Sequence, residues 1–125
     1  MARAVPLTAT QRLLLAPWTN EVEDLHVVLS GWGVMASVAL RVSAVTLNGV
    51  VYMRPECFED TVQGASLIRH EAEHVRHQRE LGWWRYLAQY VTRWMRAPRA
   101  DPRTHPMEIE AYRKGDEVIA WHAAR

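Results

Sequence analysis

The spacing of apolar and polar residues changes along the chain, and each change predicts an element. Within residues 1–20 the run "TATQRLLLAPW" reads as a short N-terminal arm or helix, with Thr8 or Thr10 as its cap and Pro17 as its limit. "LHVVLS" is rich in β-branched residues and is bounded by Gly31, which predicts a strand. "WGVMASVALRV" supports two readings, because its length favours a helix and its valine content a strand. In "SAVTLNGVVYMRP" two β-rich runs, Ala44–Leu47 and Val50–Met53, flank Asn48-Gly49. Both turn residues tolerate positive φ, so a hairpin with a two-residue type I′ turn is expected, stopped by Pro55.

From Phe58 onward the period becomes helical. Thr61 can cap a helix through "VQGASLIRHEAEHVRHQRELG" that ends near Gly82. Leu67, Glu71, His74 and Gln78 fall on one face of it. "WWRYLAQYVTRWMRAP" predicts an amphipathic helix, with Trp83, Leu87, Tyr90, Val91, Trp94 and Met95 at helical spacing, mostly as core packing. "APRADPRTHP" reads as an exposed loop, and "MEIEAYRKGDEVIAWHAAR" as a last helix. No internal repeat or second domain is visible. The expected fold is one α+β domain over residues 1–125, a β-hairpin or small sheet packed on a helical core.

Composition narrows the function classes. With 125 residues and 49% apolar content, the chain can bury one modest core. A net charge of +1 supplies no bulk field for nucleic acid, and the arginines between Arg69 and Arg103 fit no recognised nucleic-acid fold, so no nucleic-acid partner is expected. The lone Cys57 has no partner for an internal disulfide or a shared zinc site and reads as a small buried thiol. Residues 13–16 are too short for a signal-peptide core of ~7–15 residues. No apolar run reaches the ~18–20 residues of a membrane span, so a soluble, cytoplasmic protein is expected.

The chemistry concentrates in His70-Glu71-Ala72-Glu73-His74, an H-E-x-x-H sequence within the predicted helix. On a helix, positions i and i+4 stack on one face, so two imidazoles can reach one ion. Glu71 is rotated from His70 by ~100°, where it can hold a water beside the ion and act as general base. Zn2+ is the cofactor this pattern suggests. A catalytic site needs a third protein ligand, and the candidates are His77, Glu80 and Glu108 or Glu110. His77 lies ~10 Å from His70 along a straight helix, too far to share an ion easily. It also occupies the glycine position that a long H-E-x-x-H-x-x-G-x-x-H motif would need to bring Glu80 round. Glu73 reads as a solvated carboxylate paired with Arg69, Arg76 or His77.

"RHEAEHVRHQRELGWWRYLAQYV" followed by "HPMEIEAYR" resembles the gluzincins. More narrowly, it looks like short bacterial H-E-x-x-H domains of minimal metallopeptidase architecture, in which a strand like "AVTLNGVVYMRP" precedes the motif helix. The resemblance covers about residues 43–115. It implies that His70 and His74 are zinc ligands and Glu71 the general base. Glu108, the first glutamate of E-x-E-A, would be the third ligand, with Glu110 as the alternative. Tyr112 stands where many gluzincins carry Asp or Asn, and His77 where relatives often carry Gln.

The activity implied is zinc-dependent hydrolysis of peptide bonds in a peptide or protein substrate. His105 and Tyr112 are the candidate oxyanion donors, and Tyr86 and Tyr90 can also face the cleft. An extended substrate could add as a strand beside Val50–Met53. Two other readings remain. One is a catalytically silent zinc-binding interaction module. The other is a peripheral membrane protein that uses an amphipathic helix over residues 83–98, with Trp83, Trp84 and Trp94 beside Arg85, Arg93, Arg96 and Arg99.

Overall fold

The computed structural model describes residues 3–96 and 101–125. Part of the loop expected over "APRADPRTHP", including Pro98 and Arg99, therefore lies outside the described residues. The fold is α+β, as the patterning predicts. Strands β1 (Ala4–Val5), β2 (His26–Val28), β3 (Ala44–Leu47) and β4 (Val50–Met53) form one mixed sheet in the order β1-β2-β4-β3. β1 pairs antiparallel with β2, β2 parallel with β4, and β4 antiparallel with β3. Helices α1 (Ala9–Leu14), α2 (Thr19–Val22), α3 (Trp32–Ala39), α4 (Val62–Leu81), α5 (Trp83–Arg96) and α6 (Ile109–Ala123) complete the chain. No helix among the described residues is long and apolar enough to cross a membrane.

Local chemistry explains the clearest elements. Asn48 and Gly49 adopt φ of 50° and 81°, as a type I′ turn requires. The Thr61 hydroxyl accepts from the Gly64 amide at 3.1 Å and starts α4, and Gly82 at φ 82° ends it. At the N-terminus Thr8 and Gln11 form a reciprocal capping box on α1.

Two segments are sharpened by the structure. Residues 3–20 hold the expected helix, α1, and are also tied into the core, since β1 joins the sheet and Leu7, Leu15 and Trp18 are buried. Most of the ambiguous "WGVMASVALRV" forms helix α3, and Gly33 lies against the Tyr52 ring. A Cβ there would come within 2.3 Å of that ring. The face of α3 turned inward carries Gly33 and Ser37, and its large apolar side chains point outward.

β4 lies between β2 and β3, which corrects the expectation that Val50–Met53 is a free edge; the exposed edge on that side belongs to β3. Cys57 is half-buried and packs against the core.

Helix α4 runs through the centre and is clamped to α6. The Ser66 hydroxyl donates to the Gly115 carbonyl at 2.8 Å, and a Cβ on Gly115 would meet Ser66 Oγ at 3.0 Å. Charged groups reinforce this contact. Arg69, only 3% exposed, donates to the Lys114 carbonyl and to Glu117 and Glu21, with its guanidinium 4.5 Å from the Trp18 ring centre. Glu73 is also buried rather than solvated, because Lys114 reaches it from α6 at 2.7 Å while Arg76 pairs with it along α4. Burial raises the Glu73 carboxyl, but the bonds from Arg76 and Lys114 outweigh it and hold the pKa at about 2.

Glu73 therefore contributes stability that is complete above its ordinary value of 4.5 and is lost as pH falls towards about 2. Lys114→Met should lower unfolding free energy by about 1–3 kcal/mol at neutral pH in denaturant titrations. The gap to wild type should narrow below pH 4.5. A gap that stays constant down to pH 2 would refute the clamp.

Candidate metal centre

His70 and His74 sit one turn apart on α4, and Glu108 is the residue immediately before α6. As the N-cap of α6, Glu108 makes no side-chain cap bond, so its carboxylate is free to turn towards α4. Its Oε2 lies 3.2 Å from His70 Nε2 and 3.0 Å from His74 Nε2. Two imidazole nitrogens and a carboxylate oxygen thus converge from positions more than 30 residues apart.

His70, Glu71 and His74 lie close enough to hold a metal ion, with their donor atoms within 4.8 Å of one another. For tetrahedral coordination with bonds of ~2.0–2.1 Å, neighbouring donors should lie ~3.3 Å apart. The His–Glu108 separations come within a few tenths of an ångström of this, so Glu108 Oε2 could complete a three-donor set with the two imidazoles.

Glu108 and His74 are both shifted by these contacts. Burial raises the Glu108 carboxyl, but its bonds to His70 and His74 outweigh this and hold the pKa at about 2. Burial lowers His74, while Glu108 and Glu71 raise it, and the net shift is upward. Glu108 and Glu71 thus favour positive charge on His74.

Neighbouring side chains hold the ligands in place. The Tyr86 hydroxyl lies 3.2 Å from His74 Nδ1. In the tautomer that presents the Nε2 lone pair to an ion, Nδ1–H donates to that phenol oxygen. Burial pushes the Tyr86 hydroxyl well above its ordinary pKa, so it remains a neutral phenol. His77 packs edge-on against Tyr86, with centroids 5.3 Å apart. Tyr112 meets His70 edge-to-face at 4.5 Å, steadying that ring by packing.

Glu71 is fixed from the sheet. The Thr46 hydroxyl donates to Glu71 Oε2 at 2.6 Å, leaving Oε1 for a water. Gln78, one turn beyond His74, donates to the Thr46 carbonyl and accepts from the Gly49 amide, both at 2.8 Å. The hairpin is thereby stitched to the motif helix. A cavity of about 740 Å³ opens over the centre, lined by β3 and its approach, by His70, Glu71, His74 and Glu108, and by the inner face of α5. Tyr90 lies on its wall, with its hydroxyl 3.5 Å from Glu108 Oε1. Burial and the Glu108 charge raise the Tyr90 hydroxyl to about 12, so it keeps its proton.

Of the residues singled out in the sequence, His70, Glu71, His74, Glu108 and Tyr112 come together around this cavity. Glu110 does not; it is exposed and accepts from Arg113 Nε at 2.9 Å. Glu80 pairs with Arg76. His105 is 1% exposed, stacks on Trp94 with centroids 4.3 Å apart, and accepts from the Met107 amide through Nδ1. It braces the segment before Glu108 and is absent from the cavity wall. Sequence reasoning missed Thr46 and the pairing of Tyr86 with His74, for which no local spacing gives a signal.

A family model described as the eCIS core domain matches residues 25–82, a little under half of the chain. The match runs from before β2 to the end of α4, so it holds His70, Glu71 and His74 and stops short of Glu108. No curated protein and no solved structure matches the chain.

Tyr86→Phe removes the hydroxyl beside His74 and keeps the ring. Zinc affinity, read by competition with a chromogenic chelator, should fall roughly 10–100-fold with an unchanged circular dichroism spectrum. Undiminished affinity would show that Tyr86 does not position His74.

Proposed function

We propose that the protein is a zinc-dependent peptide hydrolase of gluzincin type. The observation that carries this reading is Glu108 Oε2 lying within 3.2 Å of both motif imidazoles. Two nitrogens and one oxygen, with a carboxylate one water away, suit a three-ligand catalytic zinc site. Zinc, when bound, lowers the pKa of a water and polarises a carbonyl.

The remaining work falls to the chain itself. Glu71 accepts the proton of the attacking water through Oε1 while Thr46 holds Oε2, and then passes that proton to the leaving amine. The Tyr90 phenol, protonated at neutral pH and on the cavity wall, is placed to donate to the oxyanion; Tyr112 is the second candidate. The edge of β3 lines the cavity, so an extended peptide can add there as a further strand, bound through its backbone. The apolar inner face of α5, with Trp83, Leu87 and Trp94, offers its side chains an apolar wall.

The burial of Glu71 and its bond to Thr46 also favour a second reading, a zinc-binding module in which that carboxylate only ties α4 to the hairpin. One substitution separates the two. For a hydrolase, Glu71→Gln should lower cleavage of a peptide library by roughly 10²–10⁴-fold while zinc stays at one per chain by elemental analysis. Wild-type protein that carries zinc and cleaves nothing would favour the module. Protein that binds no zinc would end both readings.

A further inference from the structure

The net charge of +1 conceals a strongly uneven distribution. No Asp or Glu lies between Asp24 and Glu56, or between Glu80 and Asp101. These two acid-free stretches supply both rims of the cavity, with Leu40, Arg41 and Val42 on one side and α5 on the other. Each rim also turns large apolar side chains outward. Leu40 and Val42 on the first rim are 66% and 40% exposed.

On α5 the structure separates the tryptophans. Trp83 and Trp94 line the cavity, whereas Trp84 is 78% exposed. Trp84, Ala88, Val91 and Met95 follow at spacings of four, three and four, which places them within an arc of ~60° on the outer face. Arg85 and Arg96 flank this arc ~90–110° round the helix, are exposed, and are not ion-paired among the described residues; Arg93 lies on the far side of α5.

We propose that the outer face of α5 docks on an anionic lipid surface. Trp84, Val91 and Met95 would enter the headgroup boundary, with Arg85 and Arg96, ~90–110° round the helix, reaching lipid phosphates beside them. Amphipathic Trp favours that boundary, and arginine without a neighbouring acid finds its counter-charge there. A second copy of this chain fits less well, because docking this face on itself would bring Arg85 and Arg96 against their own copies with no carboxylate among them. Docked in this way, one rim of the cavity would sit at the lipid boundary.

Co-sedimentation of the full chain with phosphatidylcholine vesicles, with and without phosphatidylglycerol, tests this without depending on zinc or hydrolysis. The protein should pellet with the anionic vesicles alone and be released by high salt. The double variant Trp84→Ser, Met95→Ser changes exposed side chains outside the metal centre. It should partition roughly tenfold more weakly, with unchanged melting. Failure of the wild type to pellet with anionic vesicles would overturn the proposal, as would pelleting that the double variant leaves intact. If the wild type instead dimerises in analytical ultracentrifugation and the double variant does not, the face belongs to a second copy. If it captures an acidic protein while ignoring vesicles, the partner is a protein.

Discussion

A single carboxylate oxygen shared by two imidazoles organises this molecule. Glu108 Oε2 meets His70 and His74 only because α6 is held tightly against α4. That approach depends on Gly115, where an added Cβ would meet Ser66. It depends equally on the buried Arg69 and Glu73, which draw Glu21, Lys114 and Glu117 into one network. The two sides of α4 therefore divide the labour. Charge pairs along one side fix the geometry, and the other side presents the donors. A buried ion-pair network is a weak source of net stability, but it is specific about geometry, and here that specificity sets donor separations suited to one ion.

The sheet supplies the second constraint. Gln78 binds the hairpin by two backbone contacts, and Thr46 then holds Glu71. The general-base candidate is thereby linked to the same edge strand that could receive a substrate. The electrostatics follow from enclosure. Glu108 is held at about 2 and His74 above its ordinary value, so protons compete with an ion for the imidazole and ion binding should weaken in acid.

Legibility in the sequence tracked the range of the interactions involved. The type I′ turn and the α4 caps rest on local chemistry, and Asn48, Gly49, Thr61 and Gly82 could be read directly. The H-E-x-x-H spacing needs only a helix, so His70 and His74 were equally plain. Glu108 and Glu110 could not be separated from spacing alone, because the choice depends on the cap position at the start of α6. Glu73 looked solvated because Arg76 is its visible neighbour, while Lys114, which helps bury it, lies 41 residues away. Strand order, the fate of α3 and the pairing of Tyr86 with His74 are contacts between distant segments, invisible to periodicity.

The family match reaches the two histidines and Glu71 but not the residue proposed to complete their site. The central claim is therefore that Glu108 is the third metal ligand. Zinc titration of Glu108→Gln beside Glu110→Gln measures this directly. The account predicts one zinc per chain for wild type, affinity weakened by more than about 100-fold in Glu108→Gln, and wild-type affinity in Glu110→Gln. Equal affinities in the two variants would contradict it.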